Sequence, residues 1–149
     1  MFPVRQMDMR ADSSWKNLDR GVFLVNCLAI ISRRGKVLIG RRENDPYIKE
    51  LEWSFPGGRP SYTEPLIVSL KKEVRKKTGL DIAVSQLLFA RILPERPQFL
   101  LLYYRGRIIG GKERPGELFS ELRWVGPRDA LRLFSTSVDP EIRTLLGRL

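Results

Sequence analysis

Apolar residues come in short bursts through the first third of the chain, separated by charged turns. Val22–Ser32 is a β-rich apolar run, Arg33-Arg34-Gly35-Lys36 reads as a hairpin turn, and Val37–Arg42 reads as a second strand. Glu43–Leu51 is polar and broken at Pro46, after which Glu52-Trp53-Ser54-Phe55 alternates as a short strand. From Pro65 onward the period changes. Ile67, Leu70 and Val74 fall at i, i+3 and i+7, which predicts one buried stripe on a helix of about four turns. Thr63 is placed to cap that helix, with Glu64 and Pro65 in its first turn. Gly79 followed by Leu80 predicts its end, a left-handed glycine and an apolar residue packing back on the last turn.

The second half returns to strands. Ile82–Ile92 predicts a strand, with or without a bulge, and Leu93–Pro97 a proline-bounded turn. Gln98–Ile109 predicts a long strand, Gly110–Gly116 a loop, and Leu122–Val125 another strand. Pro127–Leu133 predicts a short helix with proline at its start. Asp139 is expected at the cap of a final helix buried through Ile142, Leu145 and Leu146. Strands on both sides of one central helix, with helices at the end, predict an α/β domain. Residues 1–20 are polar and of mixed charge, with Trp15 a lone aromatic, and predict an arm ahead of a domain over residues 21–149. No repeat, linker or low-complexity segment interrupts that domain.

Composition narrows the chemistry. The chain has 149 residues, enough for one domain with a proper core, and 42% of them are hydrophobic. Its single cysteine, Cys27, lies in the first apolar run and predicts a small buried side chain rather than a disulfide, which suits a reducing cytoplasm. No apolar run is long enough to span a membrane, and residues 1–20 contain no signal-peptide core. The absence of histidine excludes histidine bases, histidine metal ligands and the triads built on them. Carboxylates, lysines and a bound cation or water are what remain. A formal net charge of +10 favours anionic partners, namely nucleotides, nucleic acid or acidic surfaces.

One stretch carries a pattern. Phe55-Pro-Gly57-Gly58 is followed in fixed register by Glu64, Lys72, Glu73, Val74, Lys76, Lys77, Gly79 and Leu80. This resembles the Nudix box: a glycine, five residues, Glu, seven residues, Arg-Glu, an apolar residue, any residue, Glu-Glu, any residue, Gly and an apolar residue. Gly58, Glu64, Glu73, Val74, Gly79 and Leu80 match without a gap, and Phe-Pro-Gly is similar to the family's usual lead-in. Lys72 stands where the family has arginine, and Lys76 and Lys77 stand where it has the paired glutamates. Glu-Leu-Arg-Trp-Val at 121–125 also resembles the family's last strand, so the likeness extends over about residues 20–149.

The resemblance implies an α/β/α sandwich with a mixed central sheet. It also implies a nucleotide or nucleoside-diphosphate derivative as ligand. In active members Mg²⁺ or Mn²⁺, held by glutamates on this helix, polarises the phosphoryl oxygen and helps form the attacking hydroxide. Positions 73, 76 and 77 share one helix face, so the family's three carboxylates become one carboxylate and two ammoniums here. No metal is therefore expected on this helix, and Glu73 is expected to pair with Lys77 in the favoured Glu-before-Lys order.

Three readings follow from the resemblance. The first is nucleotide recognition with metal-dependent hydrolysis weakened or lost. The second is a non-catalytic module binding RNA or a ribonucleoprotein. The third is an active hydrolase using Glu73 and Glu64, with metal held by Glu73 and a recruited carboxylate, Glu121 or its neighbour Glu117. Candidate contacts to phosphate or substrate are Arg41, Arg42, Gly57, Gly58, Lys72, Lys76, Lys77 and Phe55. Trp53, Tyr103 and Tyr104 are further aromatics able to stack a base, although strand aromatics usually pack in cores.

Overall fold

The computed structural model describes residues 22–43, 52–134 and 140–148. The arm predicted over 1–20, most of the loop with Pro46, and the Asp139 cap lie outside the described residues. The strands are β1 (Leu24–Arg33), β2 (Lys36–Arg42), β3 (Trp53–Ser54), β4 (Gly57–Gly58), β5 (Leu80–Ile92), β6 (Phe99–Gly111) and β7 (Phe119–Val125). The helices are α1 (Leu66–Thr78), α2 (Pro127–Leu133) and α3 (Pro140–Gly147).

The hairpin between β1 and β2 turns at Arg34 and Gly35, with φ of 52° and 76°. Positive φ at both central residues is the two-residue turn whose twist matches its flanking strands. The main path of the sheet runs β3-β2-β1-β6-β5, with β4 added on β1 and β7 on β2. Strands β1 and β6 run parallel from Leu24 beside Phe99 to Ile31 beside Gly106, and β5 returns antiparallel to β6. The sheet is therefore mixed, as the resemblance implied. Strand β5 is bulged three times against β6, and β6 continues through Gly111 where a loop was expected from Gly110. Gly111 has a φ of 86° and pairs with Leu80, directly after the end of α1, which keeps the ladder going to that point.

Alternation along the strands divides the core into two layers. On one face Ile30, Val37, Ile39, Trp53, Phe55, Leu101 and Tyr103 pack with Ala130 of α2 and with Ile142 and Leu146 of α3. On the other face Cys27, Ala29, Ile31, Leu38, Ile82 and Tyr104 pack with Leu70 and Val74 of α1. The chain is thus an α/β/α sandwich, with α1 on one side and α2 and α3 on the other.

Three expectations for α1 fail: Thr63 as its cap, Glu64 and Pro65 in its first turn, and Ile67 in its buried stripe. The helix begins at Leu66, with Pro65 in extended conformation at its N-cap and no side-chain cap. Thr63 is not the cap, because its hydroxyl is engaged with Ser61 Oγ at 2.9 Å in a local turn before the helix. Ile67 is not in the buried stripe either. It is 38% exposed, whereas Leu70 and Val74 are 1% and 0% exposed. Residues 66–68 are all exposed and span about 200° of the helix circumference, so the first turn stands largely clear of the sheet. The buried positions are Ser69, Leu70, Val74, Lys77 and Thr78. At the other end Gly79 takes the left-handed conformation, and its N–H reaches the Arg75 carbonyl at 2.9 Å.

Truncation should separate the two helix faces. Leu70→Ala is expected to cost about 2–5 kcal/mol in urea unfolding, and Ile67→Ala under about 1 kcal/mol. Equal losses would place Ile67 in the core after all. Cys27 is 1% exposed, and burial pushes its thiol up from 9.0 to about 11. The folded state therefore holds this proton where the unfolded chain releases it. That contribution to stability is complete below pH 9 and is lost as pH rises through about 11. Folded protein at pH 8 should resist a thiol reagent that labels Cys27 at once in urea.

Candidate functional site

The site is assembled where the Gly57-Gly58 loop meets the last turns of α1. Strand β4 pairs with β1 at Leu28 and Cys27. A Cβ on Gly57 would lie 2.0 Å from the Cys27 carbonyl oxygen, and one on Gly58 2.7 Å from Glu73 Oε2. At Gly57 only glycine lets the backbone lie against β1, whereas at Gly58 a side chain would displace the Glu73 carboxylate. The helix end is closed from the other side by the segment before β7. The N–H groups of Lys112, Arg114 and Gly116 donate to the carbonyls of Gly79, Thr78 and Lys77 at 3.0, 2.9 and 2.9 Å. Gly116 is required here too, because a Cβ would meet the Lys76 carbonyl oxygen at 2.0 Å.

Lys77 lies inside this junction, 6% exposed. Its ammonium donates to the Gly57 carbonyl and stands 3.4 Å from Glu73 Oε2. The i, i+4 pairing expected from the spacing is therefore present, and it is a mostly buried pair. Lys76, more than half exposed, approaches the other oxygen of Glu73 at 3.5 Å. Burial pulls Lys77 below the ordinary lysine range. Glu73 opposes that, the positive charge of Arg42 adds to it, and Glu117 opposes it. Those effects mark Arg42 and Glu117 as electrostatic neighbours of the ammonium.

Lys77 occupies the acceptors that a hard cation would use. A carbonyl and a carboxylate oxygen are typical Mg²⁺ or Mn²⁺ ligands. Here both face a resident ammonium. Among the described residues no group of three or more Asp, Glu, Cys or His could hold a metal ion. The residues present do not fit a divalent cation.

The other candidates are distributed as follows. Arg41 and Arg42, adjacent in β2, fall on opposite faces of the sheet by alternation. Arg42 faces the Lys77 junction, while Arg41 bonds Glu52 at 3.0 Å on the other face. Glu121 lies across from Arg41 in β7 and is held by Arg123 at 2.7 Å. Arg123 also lies over the Trp53 ring at 4.7 Å. Glu64 pairs with Lys72 at 2.6 Å, tying the loop before α1 to the helix. Phe55 is buried and packs edge-on against Tyr103 and Phe134. Trp53, Tyr103 and Tyr104 are buried as well. The structure thus brings together Gly57, Gly58, Glu73, Lys76 and Lys77, with Arg42 and Glu117 as electrostatic neighbours, places Arg41 and Glu121 on the other face of the sheet, and pairs Glu64 with Lys72.

Sequence reasoning missed the burial of Lys77 and the role of Gly116. The first had a signal. Continuing the stripe Leu70, Val74 by three residues reaches Lys77, a cation on the apolar face. The second had none, because the approach of that segment to α1 is a tertiary contact.

A mixed sheet between helices, with a Gly-Gly loop set against the C-terminal half of a helix, defines the protein as a Nudix-type α/β sandwich. The family model for the NUDIX domain matches residues 23–146, and the chain belongs to that family. Its curated relatives include the low-salt glycan biosynthesis protein Agl8 of Haloferax volcanii, 32% identical over 74 residues, which are 50% of this chain and 46% of that protein. Another is an 8-oxo-dGTP diphosphatase of Buchnera aphidicola, 36% identical over 55 residues, or 37% of this chain and 42% of that protein. The chain thus matches less than half the length of either relative. Among solved structures, a NUDIX hydrolase from Nitrosomonas europaea superposes with a TM-score of 0.72 at 18% identity, covering 86% of this chain and 72% of that one. A MutT protein from Methanosarcina mazei superposes with a TM-score of 0.69 at 18% identity, covering 88% and 94%. These likenesses establish the fold. No helix among the described residues is long and apolar enough to cross a membrane.

The two lysines should differ in stability effect. Lys77→Ala leaves Glu73 without its closest cation and the Gly57 carbonyl without its donor, and should cost about 3 kcal/mol in urea unfolding. Lys76→Ala, an exposed side chain, should change stability by under about 0.5 kcal/mol. A Lys77→Ala protein as stable as the wild type would show that the ammonium does not hold the junction together.

Proposed function

We propose that this protein recognises a nucleotide or nucleoside-diphosphate derivative, and that metal-dependent phosphoanhydride hydrolysis is weakened or lost. The observation that carries this reading is the Lys77 ammonium, seated between the Gly57 carbonyl and the Glu73 carboxylate. Membership of the Nudix family supports the ligand class, and so does the relative whose name says it acts on 8-oxo-dGTP. The placement of Lys76, Lys77 and Arg42 supports a site suited to phosphate rather than to an uncharged ligand.

The reading of an active hydrolase needs carboxylates recruited around Glu73. Glu64 and Glu121 have cationic partners in Lys72 and Arg123, and Glu121 lies on the far face of the sheet. Glu117 alone comes within electrostatic reach of Lys77. That arrangement favours binding over turnover. The RNA-binding reading draws on the exposed Lys71, Lys72, Arg75 and Lys76 along α1. Salt dependence separates it from a small ligand, because RNA affinity falls steeply as counterions are released.

The direct test is a phosphate-release assay over nucleoside triphosphates, dinucleotides and nucleotide sugars with Mg²⁺ and Mn²⁺, beside calorimetric binding of the same panel. Binding without turnover is the expected result. Robust metal-dependent turnover would sink the reading. In the reverse direction, Lys76→Glu with Lys77→Glu rebuilds a carboxylate face and should create measurable Mn²⁺ or Mg²⁺ affinity by calorimetry. Micromolar Mg²⁺ binding by the wild type through Glu73 would contradict the role assigned to the lysines.

A further inference from the structure

We propose that Lys77 serves as a covalently attached cation for ligand binding, so that this site takes the free, unchelated form of a diphosphate and Mg²⁺ acts as a competitor. The inference rests on the phosphate-recognition reading above and specifies which ionic form of the ligand is bound.

Three observations carry it. First, an ammonium has three donors, and two are assigned, to the Gly57 carbonyl and to Glu73. The third is assigned to a ligand oxygen that reaches the 7% of the Lys77 side chain left exposed. Second, the local charge has the sign opposite to that of a metal cage. Lys76, Lys77 and Arg42 stand against Glu73 and Glu117, so cations outnumber carboxylates. A cage for a dication needs an excess of carboxylates, whereas this site has an excess of positive charge and attracts the phosphate itself. Chelation by Mg²⁺ would cancel ligand charge and set a second cation against the ammonium.

Third, the ammonium is fixed before any ligand arrives. Gly57 is clamped on β1, Gly58 lies against Glu73, and the segment through Gly116 closes the helix end. A donor held in place loses little freedom on binding, which favours affinity. In this arrangement Glu73 is the group that partly neutralises the ammonium. It tempers anion binding rather than supporting it.

That assignment gives Glu73 an effect opposite to the one a metal ligand would have. Calorimetry should be run with inorganic pyrophosphate and a panel of nucleoside diphosphates, in EDTA and in excess Mg²⁺. Pyrophosphate should bind in EDTA, and excess Mg²⁺ should weaken it about fivefold or more. Glu73→Gln, nearly isosteric, should tighten binding in EDTA about threefold or more, while Lys77→Met and Arg42→Gln should each weaken it about tenfold. A thermal melt checks each variant. If Lys77→Met does not fold, the direction of the Glu73→Gln effect decides.

Absence of pyrophosphate binding in EDTA, a Glu73→Gln protein that binds more weakly, or a folded Lys77→Met protein that binds equally well would each overturn the proposal. The two readings fail separately. Nucleotides that bind only with Mg²⁺ would defeat the tethered-cation inference and leave nucleotide recognition standing. Pyrophosphate that binds in EDTA while no nucleotide does would uphold the inference and defeat nucleotide recognition.

Discussion

The contact on which the site depends is that of the Lys77 ammonium with the Gly57 carbonyl and the Glu73 carboxylate. It joins three parts of the chain that are distant in sequence: the glycine loop, the end of α1 and, through the backbone bonds to Lys77 and Thr78, the segment before β7. A charge this deeply enclosed is tolerated only where its donors find acceptors, and a carboxylate in the first rank of neighbours offsets much of the desolvation cost. The glycines make the arrangement possible. With a side chain at 57 the loop would be forced off β1, and the carbonyl that receives Lys77 would move with it; at 58 a side chain would displace the Glu73 carboxylate.

Much of the fold could be read from the pattern of residues, because its signals are local. The turn at Arg34-Gly35, the helix stop at Gly79 and the short helix Pro127–Leu133 each follow from a few neighbouring residues. The errors in the burial of α1 have one physical origin. Pattern reading treats every apolar residue as a core candidate and every lysine as solvated. The helix obeys the sheet instead, which lies under Leu70, Val74, Lys77 and Thr78 and leaves the apolar first turn largely uncovered. Thr63 failed as a cap for a separate, local reason: the helix starts at Leu66, and the Thr63 hydroxyl is engaged with Ser61.

The site was legible in part. Glu73 and Lys77 were paired by their spacing alone, and Gly57 and Gly58 by the need for a tight backbone. Arg41 and Arg42 show where such reasoning stops. Adjacent in sequence, they look like one basic unit, yet a strand sends neighbours to opposite faces. Arg42 therefore joins the ammonium, and Arg41 joins Glu52 and stands opposite Glu121. The assignment of Glu121 as a recruited carboxylate meets the same obstacle, since it shares the face of Arg41 and is already held by Arg123.

Buried and exposed cations have different work in such a protein. Lys71, Lys72 and Arg75 are exposed along α1, and the whole chain carries +10. Exposed charges act through water, and beyond about 8 Å at physiological salt they are largely screened. They can raise the encounter rate of an anionic partner, and salt reduces that effect. Lys77 is buried and screened much less, so in the proposed reading it bears on how firmly a phosphate would be held rather than on how often it would arrive. The basic composition and the buried lysine therefore answer different questions. Net charge bears on the sign of a partner, and in the proposed reading the position of one ammonium against Gly57 and Glu73 would select its ionic form.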